Sequence, residues 1–173
     1  MSASEPTVRP STRADLSRIN SIYNEEIRTG VATWDHHPWS FEERERWFER
    51  QDPLEPVLVL EFDGVIAGFG YLSWYREMIG YQYTREDTLY VDPIYQHRGF
   101  GFMLLQALII QARSRRIRAL IAQIEVNNEA SIALHEKFGF VRLGIEREVG
   151  FKFGRWLDAQ PMELLLPDSG PEG

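Results

Sequence analysis

The residues with the clearest chemical meaning run from Leu89 to Phe102, where an apolar Leu89-Tyr90-Val91 gives way to the glycine-punctuated Gln96-His97-Arg98-Gly99-Phe100-Gly101-Phe102. A strand that turns through two glycines into a helix brings consecutive N–H groups to the positive end of the helix dipole, where a phosphate or pyrophosphate is the natural occupant. The same glycine pair also serves as an ordinary tight turn with no ligand. Two nucleotide motifs are excluded. No Lys-Ser or Lys-Thr follows the glycines, as a P-loop requires, and the third glycine of GxGxxG is missing from a loop that lies mid-chain.

Glu86 lies on the strand that feeds this cradle, where a carboxylate can accept a proton. Arg85 and Asp87 beside it are equally polar, and a strand glutamate is ordinarily just solvated. His135 sits on a helical pattern with Ile132 three residues before and Phe138 three after, which fits a proton donor and a packed, hydrogen-bonded structural histidine alike. His36 and His37 are adjacent, point different ways, and have no Asp, Glu or His set at helical spacing, so no metal site is expected. The chain has no cysteine, which removes disulfides, thiolate metal sites and a cysteine nucleophile.

These groups need elements to hold them. Leu105, Leu108, Ile109 and Ala112 recur at helical spacing after the cradle, with Gln106, Arg113 and Arg116 facing elsewhere. Upstream, Val8-Arg9-Pro10 reads as a first strand, and Thr12-x-x-Asp15 opens a helix that buries Leu16, Ile19, Tyr23 and Ile27 and ends at Gly30. Ser40-x-x-Glu43 opens a second helix with Phe41, Trp47 and Phe48 on its buried side, after a linker, 33–39, too aromatic to be passive. Residues 57–62 and 65–75 form a hairpin at Asp63-Gly64. Strands follow at 84–91, 119–126, 141–149 and 157–166, with a short helix over 128–138 closed by Gly139. The order implies a mixed α/β sheet with helices on both faces.

At 173 residues with five tryptophans the chain suits one domain, burying roughly 70% of its unfolded surface. That domain is expected over 7–166, between loose polar ends at 1–6 and 167–173. A net charge of −7 argues against nucleic-acid partners. No segment has the apolar length of a membrane span or the pattern of a signal peptide, so no membrane partner and a cytoplasmic location are expected.

Gln96-x-x-Gly99-x-Gly101 and the later Asn128-Glu129-Ala130-Ser131-Ile132-Ala133-Leu134-His135-Glu136-Lys137-Phe138-Gly139-Phe140 together resemble the acetyl-CoA motif pair of the GNAT N-acetyltransferase superfamily. Residues 84–91 and 150–158 are similar to its phosphinothricin and methionine sulfoximine acetyltransferase branch, and the likeness runs from about Val8 to Leu166. The resemblance implies a mostly antiparallel sheet and acetyl-CoA as acetyl donor, with no metal. It implies that Leu89, Tyr90 and Val91 pair with the pantetheine arm, and that Gln96, His97, Arg98, Gly99, Phe100, Gly101, Phe102, Asn127 and Asn128 contact the cofactor. Glu86 matches the general base, and His135 stands where many members have a tyrosine that protonates the departing thiolate.

The acceptor implied is a small amino-acid-like amine of the phosphinothricin, methionine sulfoximine or methionine sulfone type, held by Trp34, Arg76 and Tyr81, with Arg76 clamping its carboxylate. Residues 75–80 depart from the commoner pattern. A polyamine or protein N-terminus as acceptor, and a non-catalytic acyl-CoA-binding module, are the alternatives. A homodimer is implied, with Phe151, Phe153 and Trp156 at or near its interface.

Overall fold

Capping residues place the first helices. Thr12 N–H donates to Asp15 Oδ2 at 2.7 Å, and a 3-10 turn at Arg13–Asp15 leads into helix α1, Leu16–Thr29. At helix α2, Phe41–Glu49, Glu43 N–H donates to Ser40 Oγ and Ser40 N–H to Glu43 Oε2, a reciprocal pair. The computed structural model describes residues 5–167, so the loose ends expected at 1–6 and 167–173 lie mostly outside the described residues. The strands are β1 Thr7–Pro10, β2 Leu58–Phe62, β3 Val65–Trp74, β4 Thr84–Val91, β5 Ala119–Glu125, β6 Val141–Arg142, β7 Glu146–Lys152 and β8 Arg155–Leu165. Helices α3, Phe100–Ser114, and α4, Glu129–Lys137, complete the order.

All eight strands share one sheet, ordered β1-β2-β3-β4-β5-β8-β6 with β7 also on β8. Among the described strands only β4 and β5 pair parallel. One face packs on α1 through Leu16, Ile19 and Tyr23 against Val59, Phe69 and Tyr90. The other packs on α3 and α4 through Leu105, Leu108 and Ile132 against Leu72, Leu120 and Met162. Side chains alternate along a strand, so β4 sends Tyr90 to the α1 face and Leu89 to the α3 face. Glu86 and Thr88 share the face of Tyr90; Arg85 and Asp87 share that of Leu89. Among the described residues no helix is long and apolar enough to cross a membrane, and no cluster of His, Asp or Glu could hold a metal ion.

Three expectations change. Phe41 is 48% exposed, and the residue of α2 that is buried is Arg44, at 1%. Its guanidinium lies 4.6, 4.3 and 4.5 Å from the ring centroids of Tyr23, Trp39 and Trp47, so stacking on three π faces offsets part of the cost of removing the charge from water. The strand expected over 141–149 is two, β6 and β7. Pro161 on β8 accepts from Leu143 N–H at 2.9 Å but has no N–H to return, and the ladder breaks there. The strand expected from 157 starts at Arg155, because Phe153 and Gly154 both take positive φ and close a tight β7–β8 hairpin.

Candidate active site

Strands β4 and β5 pair only at Thr84↔Ala119, Arg85↔Leu120 and Glu86↔Ile121. Beyond Glu86 they part, and no described strand pairs with that edge of β4 as far as Val91, whose carbonyl accepts from Gln96 Nε2 at 3.3 Å. Two cavities fill the opening, one of about 490 Å³ and one of about 540 Å³. They share the walls Val31, Ala32, Leu89, Tyr90, Asn128 and Ser131, so they adjoin along the edge of β4.

The larger cavity is a groove running from Leu89, Tyr90 and Val91 to the N-terminus of α3. Gly99 caps that helix at φ 82°, ψ 5°, a left-handed conformation that costs other residues about 1 kcal/mol or more. His97 shares it at φ 61°. Gly101, unlike Gly99, takes no positive φ. It lies in the first turn of α3, and a Cβ there would stand 3.2 Å from the Leu134 side chain, so what it provides is close approach of α3 to α4. Lys137 at the end of α4 and His97 are the basic side chains on the groove wall.

The smaller cavity carries the carboxylates of Glu86, Asp87, Glu125 and Glu146, with His135 beside them. Burial raises the Glu86 carboxyl above its ordinary value, the adjacent Asp87 charge raises it further, and no hydrogen bond from a described residue offsets them. His135 is 3% exposed, with Nδ1 at 2.7 Å from the Ser131 carbonyl and Nε2 at 2.9 Å from Asp87 Oδ2. Burial opposes its charge, but the Asp87 hydrogen bond and charge, helped by Ser131, hold its pKa above the ordinary histidine value. Glu125 is tied to Asn127 through both its oxygens.

The aromatic linker forms the roof, and β7 pins it. The Lys152 ammonium, 2% exposed, donates to the carbonyls of Thr33 at 2.6 Å, Gly30 at 2.8 Å and Glu26 at 3.4 Å. His36 Nε2 meets the Phe151 carbonyl at 2.8 Å, and Trp34 packs so tightly over Gly150 that a Cβ there would lie 2.5 Å from its ring. On the α1 side Asp35 accepts from Tyr23 Oη and Trp39 Nε1, both at 2.8 Å.

A groove ending at a helix N-terminus, beside a cavity lined by a carboxylate of raised pKa, suits a long anionic ligand with proton transfer at its inner end. Comparison with known proteins decides its kind: residues 19–140 match the Acetyltransferase (GNAT) family. This chain belongs to the GNAT family. It is 38% identical over 163 residues to the L-methionine sulfoximine/L-methionine sulfone acetyltransferase of Salmonella typhimurium, covering 94% of this chain and 95% of that protein. It is 39% identical over 162 residues to the phosphinothricin N-acetyltransferase of Alcaligenes faecalis, covering 92% and 82%. Among solved structures, yncA of Salmonella typhimurium with its cofactor acetyl-CoA superposes with a TM-score of 0.92 at 37% identity, covering 97% of this chain and 98% of that one.

In this GNAT acetyltransferase, Glu86, His135 and Trp34 line the smaller cavity, and Leu89, Tyr90, Val91, Gln96, His97, Gly99, Phe100, Gly101, Phe102 and Asn128 line the groove. Phe100 is buried against Phe62, so it offers the groove its backbone. Arg98, Asn127, Arg76 and Tyr81 are not brought to either wall. The Arg98 guanidinium stacks over Phe62 and Tyr95, and Asn127 turns back to Glu125. Arg76 is exposed over Tyr75 and Tyr81, at 5.0 and 5.4 Å, close enough to Glu146 for that charge to help raise its pKa, after Tyr75. Asp87, Ser131, Lys137, Glu146 and Lys152 were missed. Lys137 alone had a readable signal, as a cation in the last turn of the helix that carries His135.

Proposed function

We propose that this GNAT acetyltransferase transfers the acetyl group of acetyl-CoA to the amine of a small amino-acid-like acceptor of the methionine sulfoximine, methionine sulfone or phosphinothricin type. The observation that carries it is the junction at Leu89 and Tyr90, where the groove adjoins the cavity lined by Glu86. The pyrophosphate lies on the N–H groups that open α3, with Lys137 as a cation and the His97 ring beside it, and the pantetheine arm pairs with the edge of β4 that no strand covers. Glu86, directly or through water, takes the proton from the acceptor ammonium. The amine then attacks the thioester carbonyl, whose developing oxyanion is met by a backbone N–H near Val91.

Residues 7–166 form the acetyltransferase domain in this reading, and the working unit is a cytoplasmic homodimer. The exposed Phe151, Phe153 and Trp156 support a partner contact, and a chain without cysteine suits a reducing compartment. One observation favours a second acceptor class. The charged groups lining the cavity are carboxylates apart from His135, with no lysine or arginine, and such a lining suits a polyamine.

Free-thiol release from acetyl-CoA, measured against L-methionine sulfone, L-methionine sulfoximine, phosphinothricin and spermidine, separates these. Turnover with the first three and little with spermidine is the expected result. Preference for spermidine would move the acceptor to the polyamines, and no thiol release with any amine would remove the enzymatic reading.

A further inference from the structure

Asp87 has no part in the mechanism above, yet its carboxylate is among the most deeply buried polar groups of the cavity, with a side chain 1% exposed. Its Oδ2 meets His135 Nε2, and its Oδ1 has no hydrogen-bond partner. His135 Nδ1 faces the Ser131 carbonyl, which can only accept, so Nδ1 carries a hydrogen. A neutral His135 would then present a bare Nε2 lone pair to an ionised carboxylate 2.9 Å away, two acceptors with nothing between them. The contact needs one proton between the two atoms, and it sits on Nε2 because an imidazole is ordinarily the stronger base of the pair. Both nitrogens are thereby committed, and neither is free to hand a proton to a substrate.

We infer that Asp87 is a positioning residue that holds His135 as a permanent imidazolium, and that His135 stabilises the departing thiolate as a fixed cation without giving up its proton. The amine nitrogen forms the C–N bond and the electron pair of the broken C–S bond leaves on sulfur. The amine proton goes to Glu86, and the thiolate takes a proton from solvent after release, so the imidazolium is unchanged at the end of each cycle. Glu86 on β4, Glu125 on β5, Glu146 on β7, Tyr23 on α1 and Tyr71 on β3 line the same cavity. The ring's described partners are Asp87, Ser131 and the Phe140 ring, whose centroid is 4.9 Å away. The catalytic half of this inference rests on the acetyl-transfer reading; the protonation half does not.

Nitrogen-detected NMR of the histidine rings in the ligand-free wild-type protein tests the protonation half. Both His135 nitrogens should stay protonated as pH rises past the ordinary histidine value, whereas an Nε2 that loses its proton near pH ~6.5 would overturn the inference even if the enzyme acetylates every amine offered. Asp87→Asn keeps the shape and lets an amide N–H donate to a bare Nε2. In this variant Nε2 should be unprotonated at about pH 7, with kcat down at least ~10-fold and KM for acetyl-CoA within about twofold. An unchanged kcat would overturn the catalytic half. A role confined to packing would lower the melting temperature without moving the ring's protonation, and if Asp87→Asn does not fold the wild-type titration decides.

Discussion

Glu86 and His135 look equivalent as ionisable groups in a sequence, and their surroundings separate them. Glu86 is half-buried with no described hydrogen bond to its carboxyl, the condition of a base held ready, and its raised pKa carries a sign that can be tested. A base works deprotonated, so kcat/KM should rise with pH through a limb above the ordinary glutamate value of 4.5. Glu86→Gln should abolish that limb and lower turnover by ~10²-fold or more, with acetyl-CoA affinity by calorimetry nearly unchanged.

His135 gives the second prediction at this scale. Its folded pKa lies above 6.5, so the stability it contributes is fully present below 6.5 and is lost as pH rises through the raised value. The urea midpoint of the wild type should fall over that window, and that of Asp87→Asn should fall less. Glu86 was readable because it lies next to a motif in the chain. The hydrogen bond that defines His135 was not, because Asp87 is 48 positions away and reaches it only through the pairing of β4 with its neighbours. Arg44 was unreadable for a related reason: a charged residue on a helix is read as exposed unless the rings of Tyr23 on α1, Trp39 in the linker and Trp47 on its own helix are known to enclose it.

The elements do two things for the site: α3 approaches α4 closely at Gly101, and β7 holds the linker roof. Gly101→Glu puts a branching side chain against Leu134 and a negative charge at the groove, so acetyl-CoA affinity should drop by ~10²-fold or more in a folded variant, measured by calorimetry. Lys152→Met removes hydrogen bonds to two well-placed carbonyls, Thr33 and Gly30, at a cost of about 2–4 kcal/mol in urea unfolding. It should raise KM for the acceptor more than KM for acetyl-CoA, because Trp34 loses its support. The hairpin at Asp63-Gly64 and the helix caps were legible in local sequence. Pro161 foreshadows the break between β6 and β7 only once its partner strands are known. The parting of β4 from β5, which makes the site, is a property of long-range pairing that no local pattern encodes.

At the scale of the molecule, one surface remains to be accounted for. Phe151, Phe153 and Trp156 are 46%, 55% and 61% exposed on the β7–β8 hairpin whose other side pins the linker, and Phe151 and Trp156 pack edge to face at 5.0 Å. A partner subunit seated there would pack on the hairpin that pins the linker roof and would supply a cation for the acceptor's carboxylate, since no lysine or arginine lines the cavity. Trp156→Ala should therefore shift sedimentation at micromolar concentration from dimer toward monomer and lower acceptor turnover together. A wild-type monomer with full activity would show that no partner is needed.

The central claim is that the donor lies in the groove and delivers its thioester where β4 leaves β5. A crystal structure of the protein with coenzyme A and L-methionine sulfone bound tests it most directly. The account predicts the pyrophosphate on the backbone N–H groups that open α3, the pantetheine arm along Leu89, Tyr90 and Val91, and the sulfur at the junction between Glu86 and His135 with the sulfone's amine facing Glu86. A sulfur atom outside that junction, or an acceptor amine turned away from Glu86, would contradict it.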